Sequence, residues 1–285
     1  MPDTFFQYPA KPPLWTRTVS YWRPTARYCV QTEAHVYALA IAASVLLSFY
    51  PFLIVMLSFC RNVLHWQAAL DAVALALDDY FPGDLGNFIW RNLPARGRVQ
   101  WVSMFLLLFT ANGIFEPLEV ALNRVWKVPA NRSYLKNQLV ALGLIFLCGG
   151  LALVSLMLTA MNRTWIARWS GSHAHAASWM NLLFFKLAAV PISILALFFV
   201  YWLLPNRKIE PLKVAPVAIL VGLLLEGLKY ITLLVWPLLN DKLHNEYGVF
   251  RNSVTILLWS FVGAMIVLAG AEWAARREGQ GNGTR

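Results

Sequence analysis

Six stretches of this chain are apolar for long enough to cross a bilayer, which takes about 20 residues at 1.5 Å of rise each. They run over 36–60, 100–122, 137–160, 181–204, 213–238 and 253–274. The pattern predicts an all-α, polytopic membrane protein built as a six-transmembrane-helix bundle. Between the first two spans the period changes. Leu70, Val73, Ala74, Leu77 and Phe81 recur at helical spacing, with Gln67, Asp71 and Asp78 on another face. This predicts an amphipathic helix lying on the outer surface or capping the bundle. The turn FPGDLGN closes it, and FIWRNLP makes a second short piece.

Composition sharpens this picture. Apolar residues make up 59% of the chain and charged residues 13%, roughly half the charged share of a soluble domain. The net charge of +10 is explained first by cytoplasmic loops and anionic headgroups; no basic soluble domain is present to hold nucleic acid. Alternate connections divide the basic residues unequally. Fourteen Lys and Arg lie in the leader, the 123–136 loop, the 205–213 loop and the tail, against eight in the other set. Both termini are therefore expected in the cytoplasm. The organisation expected is a cytoplasmic or interfacial leader over 1–35, a membrane domain over 36–275 and a tail over 276–285. In the leader, Trp15, Tyr21, Trp22 and Tyr28 alternate with Arg17, Arg23 and Arg27, a mixture suited to a headgroup layer.

The second span ends in a way a lipid-facing helix does not. Asn112, Glu116, Glu119 and Asn123 are spaced four, three and four residues apart, so they share one stripe. An acidic group at a span centre costs about 2.5–3.5 kcal/mol, so the stripe must face protein, water or headgroups. Pro117 removes a backbone hydrogen bond and frees the carbonyl of Gly113, predicting a kinked or locally opened helix over 113–117. Two readings stand. In one, the stripe glues helices together, with Glu119 near the headgroups and within reach of Arg124 or Lys127. In the other, a broken helix lines a pathway for an ion or a polar headgroup, and Glu116 is its central group. The fifth span adds Glu226 and Lys229 at i, i+3, with Tyr230 beside them. They form either an internal neutralising pair or part of the same pathway, since Glu226 lies ~20 Å and Asn112 ~15 Å from the cytoplasmic end at 1.5 Å per residue. Lys186, near the outer end of span four, is read as snorkelling. Gly263 and Gly270, each followed by Ala, make a small-residue face on the last span.

Chemistry is harder to place. His35, His65, His173, His175 and His244 are scattered over different loops and span ends, and no HExxH, Gly-rich phosphate loop or Ser-His-Asp order appears. No metal site and no cofactor is expected. Cys29, Cys60 and Cys148 have no paired spacing. A lipid-modifying enzyme would have to use Asp71, Asp78, Asp79 or Asp84, which read better as a solvated face.

LEVALNRVWKV with its basic loop, the LLPN closing span four, and EYGVFRNSVTILLWSFVGAMIVLAGAE resemble the BrkB/YihY family of bacterial inner-membrane proteins. The resemblance covers roughly residues 30–275, and Tyr247-Gly248, Trp259, Gly270 and Glu272 carry it most specifically. It implies a six-helix bundle in the inner membrane with both termini inside, matching the charge count. Some members carry the label ribonuclease BN. Metal-dependent RNA hydrolysis needs clustered His and carboxylate ligands, so the expectation here is a protein that is not an enzyme. Two function classes follow. One is a transporter or facilitator for an ion or an anionic lipid or envelope precursor, with its site between spans two and five. The other is a non-transporting envelope scaffold working through its small-residue face and outer amphipathic helix. Membrane lipids are the expected partners, nucleic acid is not, and a homo-oligomer is compatible with either class.

Overall fold

The computed structural model describes residues 14–30, 32–62, 65, 67, 70, 71, 73, 101–129, 132–169 and 190–282. Among them all regular structure is helical. The helices are α1 (Leu14–Val30), α2 (Thr32–Asn62), α3 (Trp101–Val125), α4 (Tyr134–Trp169), α5 (Val190–Leu203), α6 (Pro211–Tyr247) and α7 (Arg251–Asn282). A 3₁₀ turn, Gly248–Phe250, joins the last two.

Four helices contain stretches long and apolar enough to cross a membrane: Glu33–Asn62, Leu135–Ser155, Pro211–Thr232 and Arg251–Arg277. The chain is a multi-pass membrane protein. Helix α3 coincides with the second expected span, and α5 is a shorter apolar helix. Residues 181–189 of the fourth expected span and most side chains of the first half of α3 lie outside the described residues; among those described, four spans rather than six are long and apolar enough. The leader is helical over α1. Of the expected outer helix, Leu70 and Val73 are buried while Gln67 and Asp71 are exposed, as an amphipathic period requires. Ala74, Asp78, Leu77, Phe81 and the pieces that follow lie outside the described residues.

Helix α2 is the centre of the assembly, packing along α3 and α7, while α7 also packs on α6 and α1. The buried core draws on one end of the bundle. Ala38 and Ile41 of α2 meet Leu118, Ala121 and Leu122 of α3, Val214, Val217 and Val221 of α6, and Leu268 and Ala271 of α7. By chain direction this is the end toward which the charge count places the cytoplasm. Small residues allow the closest approaches. A Cβ at Gly270 would run into Val221 and stand 3.0 Å from the hydroxyl of Tyr201, while Gly263 faces Leu225. The small-residue face of the last span is thus the seam between α7 and α6.

The connection between α6 and α7 differs from expectation. Residues 239–247, polar enough to read as a loop, continue α6 as helix. The turn is made by Gly248, whose φ of +49° lies in the left-handed region and whose N–H donates to the carbonyl of His244. At 37 residues α6 is about 55 Å long, so it stands well beyond the ~30 Å hydrocarbon core. Its start is conventional: Pro211 occupies the first helical turn after an extended Glu210.

Candidate functional site

The polar stripe of α3 divides within a single turn. Glu116 is exposed, whereas Glu119 and Asn123 are each only 2% exposed. Asn112 is helical, but its side chain lies outside the described residues. The helix runs uninterrupted through Gly113 and Pro117, so the local opening expected there is absent. Gly113 instead lies close to Ser44 of α2.

Asn123 is the hub of the buried part. Its side-chain oxygen accepts from the backbone N–H of Asn206 at 2.7 Å, and its amide donates to Glu119 Oε1 at 3.4 Å. Glu119 Oε2 is buried without a hydrogen-bond partner. From the following loop, Arg132 donates to the carbonyls of Leu203, Leu204 and Pro205 at 3.0–3.1 Å. The first of these closes α5, where a helix leaves acceptors unsatisfied, and the other two follow directly after it. Arg207 returns the contact, donating to the carbonyl of Trp126 at 3.5 Å. Two chain segments, 123–132 and 203–207, are therefore interlocked through side chains of each bonded to backbone of the other.

The local fold presents these groups. After α3 the chain makes a Schellman closure: Val128 N–H donates to the carbonyl of Asn123 at 2.8 Å and Lys127 N–H to that of Arg124 at 3.1 Å. Lys127 takes φ +53° at the position usually given to glycine. This closure fixes Asn123 in the last turn and sends Arg132 back toward α5. Glu119 had been expected near the headgroups, tied to Arg124 or Lys127. Arg124 pairs instead with Glu33 of α2 at 2.5 Å, and the charge close to Glu119 is that of Arg132.

A second constellation lies within α6. Lys229 Nζ stands 3.6 Å from Glu226 Oε1, with side-chain exposures of 5% and 20%. Tyr230 is exposed. His244 falls eighteen residues after Glu226, about five turns on, so Glu226, Tyr230, Asn240 and His244 follow one face of the helix. Asn240 accepts from Arg251 at 3.2 Å, bringing the start of α7 to the end of that face.

A third constellation, which sequence reasoning left as separate fragments, ties α1 to α7. Glu272 accepts from the Thr25 hydroxyl at 2.5 Å and lies 3.4 Å from Arg276 Nε. Arg276 also donates to Thr25 and to the carbonyl of Tyr21. Trp273 donates to the Tyr21 hydroxyl at 2.8 Å and stacks on Trp22, while Arg277 lies over its ring. Burial is the main reason the Tyr28 hydroxyl is pushed up to about 12, with the Cys29 and Glu272 charges adding to it. Burial and Glu272 likewise raise the Cys29 thiol. The available signal was Glu272 in the last span together with the aromatic and basic alternation of the leader, since both call for a partner.

Among the described residues no three His, Cys, Asp or Glu side chains gather into a metal-binding group. His35 stacks on Phe261; His173, His175, Asp78, Asp79, Asp84 and Lys186 lie outside the described residues. A family model described as Virulence factor BrkB matches residues 27–285, and no solved structure matches the chain.

Proposed function

Since the chain belongs to the BrkB family, we propose that it is a six-span inner-membrane facilitator for an ion or an anionic lipid or envelope precursor, with both termini in the cytoplasm. The observation that supports transport is the Glu226–Lys229 pair, with Lys229 buried and Glu226 half-buried. It lies about 22 Å along α6 at 1.5 Å per residue, near mid-membrane depth. Desolvating two charges there is costly, and such groups in spans commonly mark routes for polar cargo. The face carrying Tyr230, Asn240 and His244 extends the polar path toward the outer end of α6. The protein is read as having no chemistry of its own, so RNA incubated with it should remain intact.

The test is reconstitution in vesicles, following movement of labelled anionic lipid and of monovalent ions. Neutralising both partners together, Glu226→Gln with Lys229→Gln, avoids leaving one buried charge alone, which would cost about 3–5 kcal/mol. The double variant should fold and lose most of the flux. Full flux in the double variant would sink the pathway.

A second reading, a non-transporting scaffold, draws support from the interlock around Asn123 and Arg132, where polar side chains near the end of α3 bind backbone. Under it, wild-type vesicles move none of these solutes, and the double variant complements a deletion strain fully.

A further inference from the structure

Where α6 turns into α7, a cavity of about 770 Å³ opens against α2, lined by Tyr50, His244, Phe250, Arg251, Asn252 and Ser253 around the Gly248 turn. Its size lies within the ~300–1,000 Å³ usual for small-ligand sites. Among the described residues its lining is chemically one-sided: a guanidinium, an imidazole, an amide and a hydroxyl supply donors, and none of them is a carboxylate. Asp241 and Glu246 are exposed on the same stretch of α6 but do not line it. Asn240 accepts from Arg251 Nη1 at 3.2 Å, which orients the guanidinium plane at the rim. A guanidinium fork matches the paired oxygens of phosphate better than an ammonium does.

The rest of the surface is apolar. Tyr50 and Phe250 supply rings, and Phe250 is 68% exposed. Leu234 and Leu238 of α6 are also openly exposed. Arg251 is the first residue of the apolar stretch Arg251–Arg277, so the cavity stands where hydrocarbon gives way to headgroups. We propose that this cavity binds the phosphate group of an anionic amphiphile from the adjoining leaflet, with Arg251 as its principal anchor, His244, Asn252 and Ser253 as further donors, and Tyr50 and Phe250 against its apolar part. The site stands independently of transport; a scaffold could hold such a lipid permanently.

Binding is measured on the full chain in phosphatidylcholine nanodiscs doped with phosphatidylglycerol, by counting retained lipid with native mass spectrometry after release. Wild type should retain phosphatidylglycerol saturably and in preference to phosphatidylcholine. Arg251→Gln should weaken it by about tenfold or more, the effect of one charge-assisted hydrogen bond; Arg251→Lys should lose less, and Lys213→Gln, on the opposite end of α6, nothing. Ser253→Trp fills the cavity without removing a charge and should abolish retention, which keeps the test decisive even if Arg251→Gln fails to fold. Inorganic phosphate at millimolar concentration should not displace the lipid. Unchanged retention in Ser253→Trp, or equal retention of the two lipids, overturns the site. Displacement by inorganic phosphate alone would make it a free-phosphate site and overturn the amphiphile.

Discussion

Replacing Asn123 by Leu keeps the volume of the side chain and removes its hydrogen bonds to Asn206 and Glu119. The part-buried Asn206 N–H, bonded at 2.7 Å, and Glu119 Oε1 of a residue 2% exposed, bonded at 3.4 Å, both lose the Asn123 side chain. A buried group left unsatisfied costs about 1–3 kcal/mol. The Asn206 bond is short and carries most of the effect, while the long Glu119 bond contributes little. The expected loss is about 1–3 kcal/mol, or roughly 2–12 °C in Tm at the ~2–4 °C per kcal/mol typical of larger domains. Asn123→Asp separates the two bonds. It keeps an oxygen for Asn206 but sets a second carboxylate against Glu119, so it should be destabilised at neutral pH and recover as the pH falls. Glu116→Gln, at an exposed position about two turns from Asn123, should stay within ~0.5 kcal/mol. The assay is thermal unfolding of the detergent-purified variants followed by intrinsic tryptophan fluorescence. If Asn123→Leu unfolds with wild type, or Glu116→Gln proves the more damaging, the interlock is not what holds α3 to α5.

Gly270→Ala should cost about 1–3 kcal/mol by overpacking, because Val221 and the Tyr201 hydroxyl occupy the space; Gly263→Ala, whose nearest neighbour is Leu225 at 3.8 Å, should be neutral or better. Thermal unfolding of the pair separates a tight seam from a merely small one. Lys127→Gly relieves a left-handed residue at the end of α3 and should stabilise by about 1 kcal/mol, read as a higher melting temperature. On the proposed topology, an impermeant thiol reagent added to intact cells should leave Cys29 unlabelled, and Cys60 too, since it is fully buried; opening the cells should label Cys29, slowly, because burial raises its thiol. Labelling of Cys29 from outside would invert the topology.

The helices of the membrane domain were legible because apolar length reports directly on burial in lipid. So was the packing face at Gly263 and Gly270, since only small residues permit such approach. The extension of α6 was hidden by its polarity: Asn240, Asp241, Lys242 and Glu246 read as a loop when helix is judged by hydropathy. Glu119 was misplaced for another reason. Its position near the end of α3 suggested headgroups, but it is buried, with the charge of Arg132 near it and a bond to Asn123, which in turn holds Asn206, some eighty residues on. Spacing along one helix shows which side chains share a face; it does not show what another segment brings to that face. The LLPN motif held the missing information, since its Asn206 donates the bond that closes the interlock.

The clamp between α1 and α7 joins residues far apart along the chain: Tyr21 and Trp273 are separated by 252 positions. A ribosome adding roughly 5–20 residues per second needs on the order of 12–50 s to cover that distance. Throughout this interval the aromatic and arginine side chains of α1 have no Glu272 or Trp273 to meet, and the headgroup layer is where such a helix can wait. Docking of α1 is thus a late event in biosynthesis, and it reports that α7 has been made. A chain interrupted before Glu272 would leave α1 without these contacts.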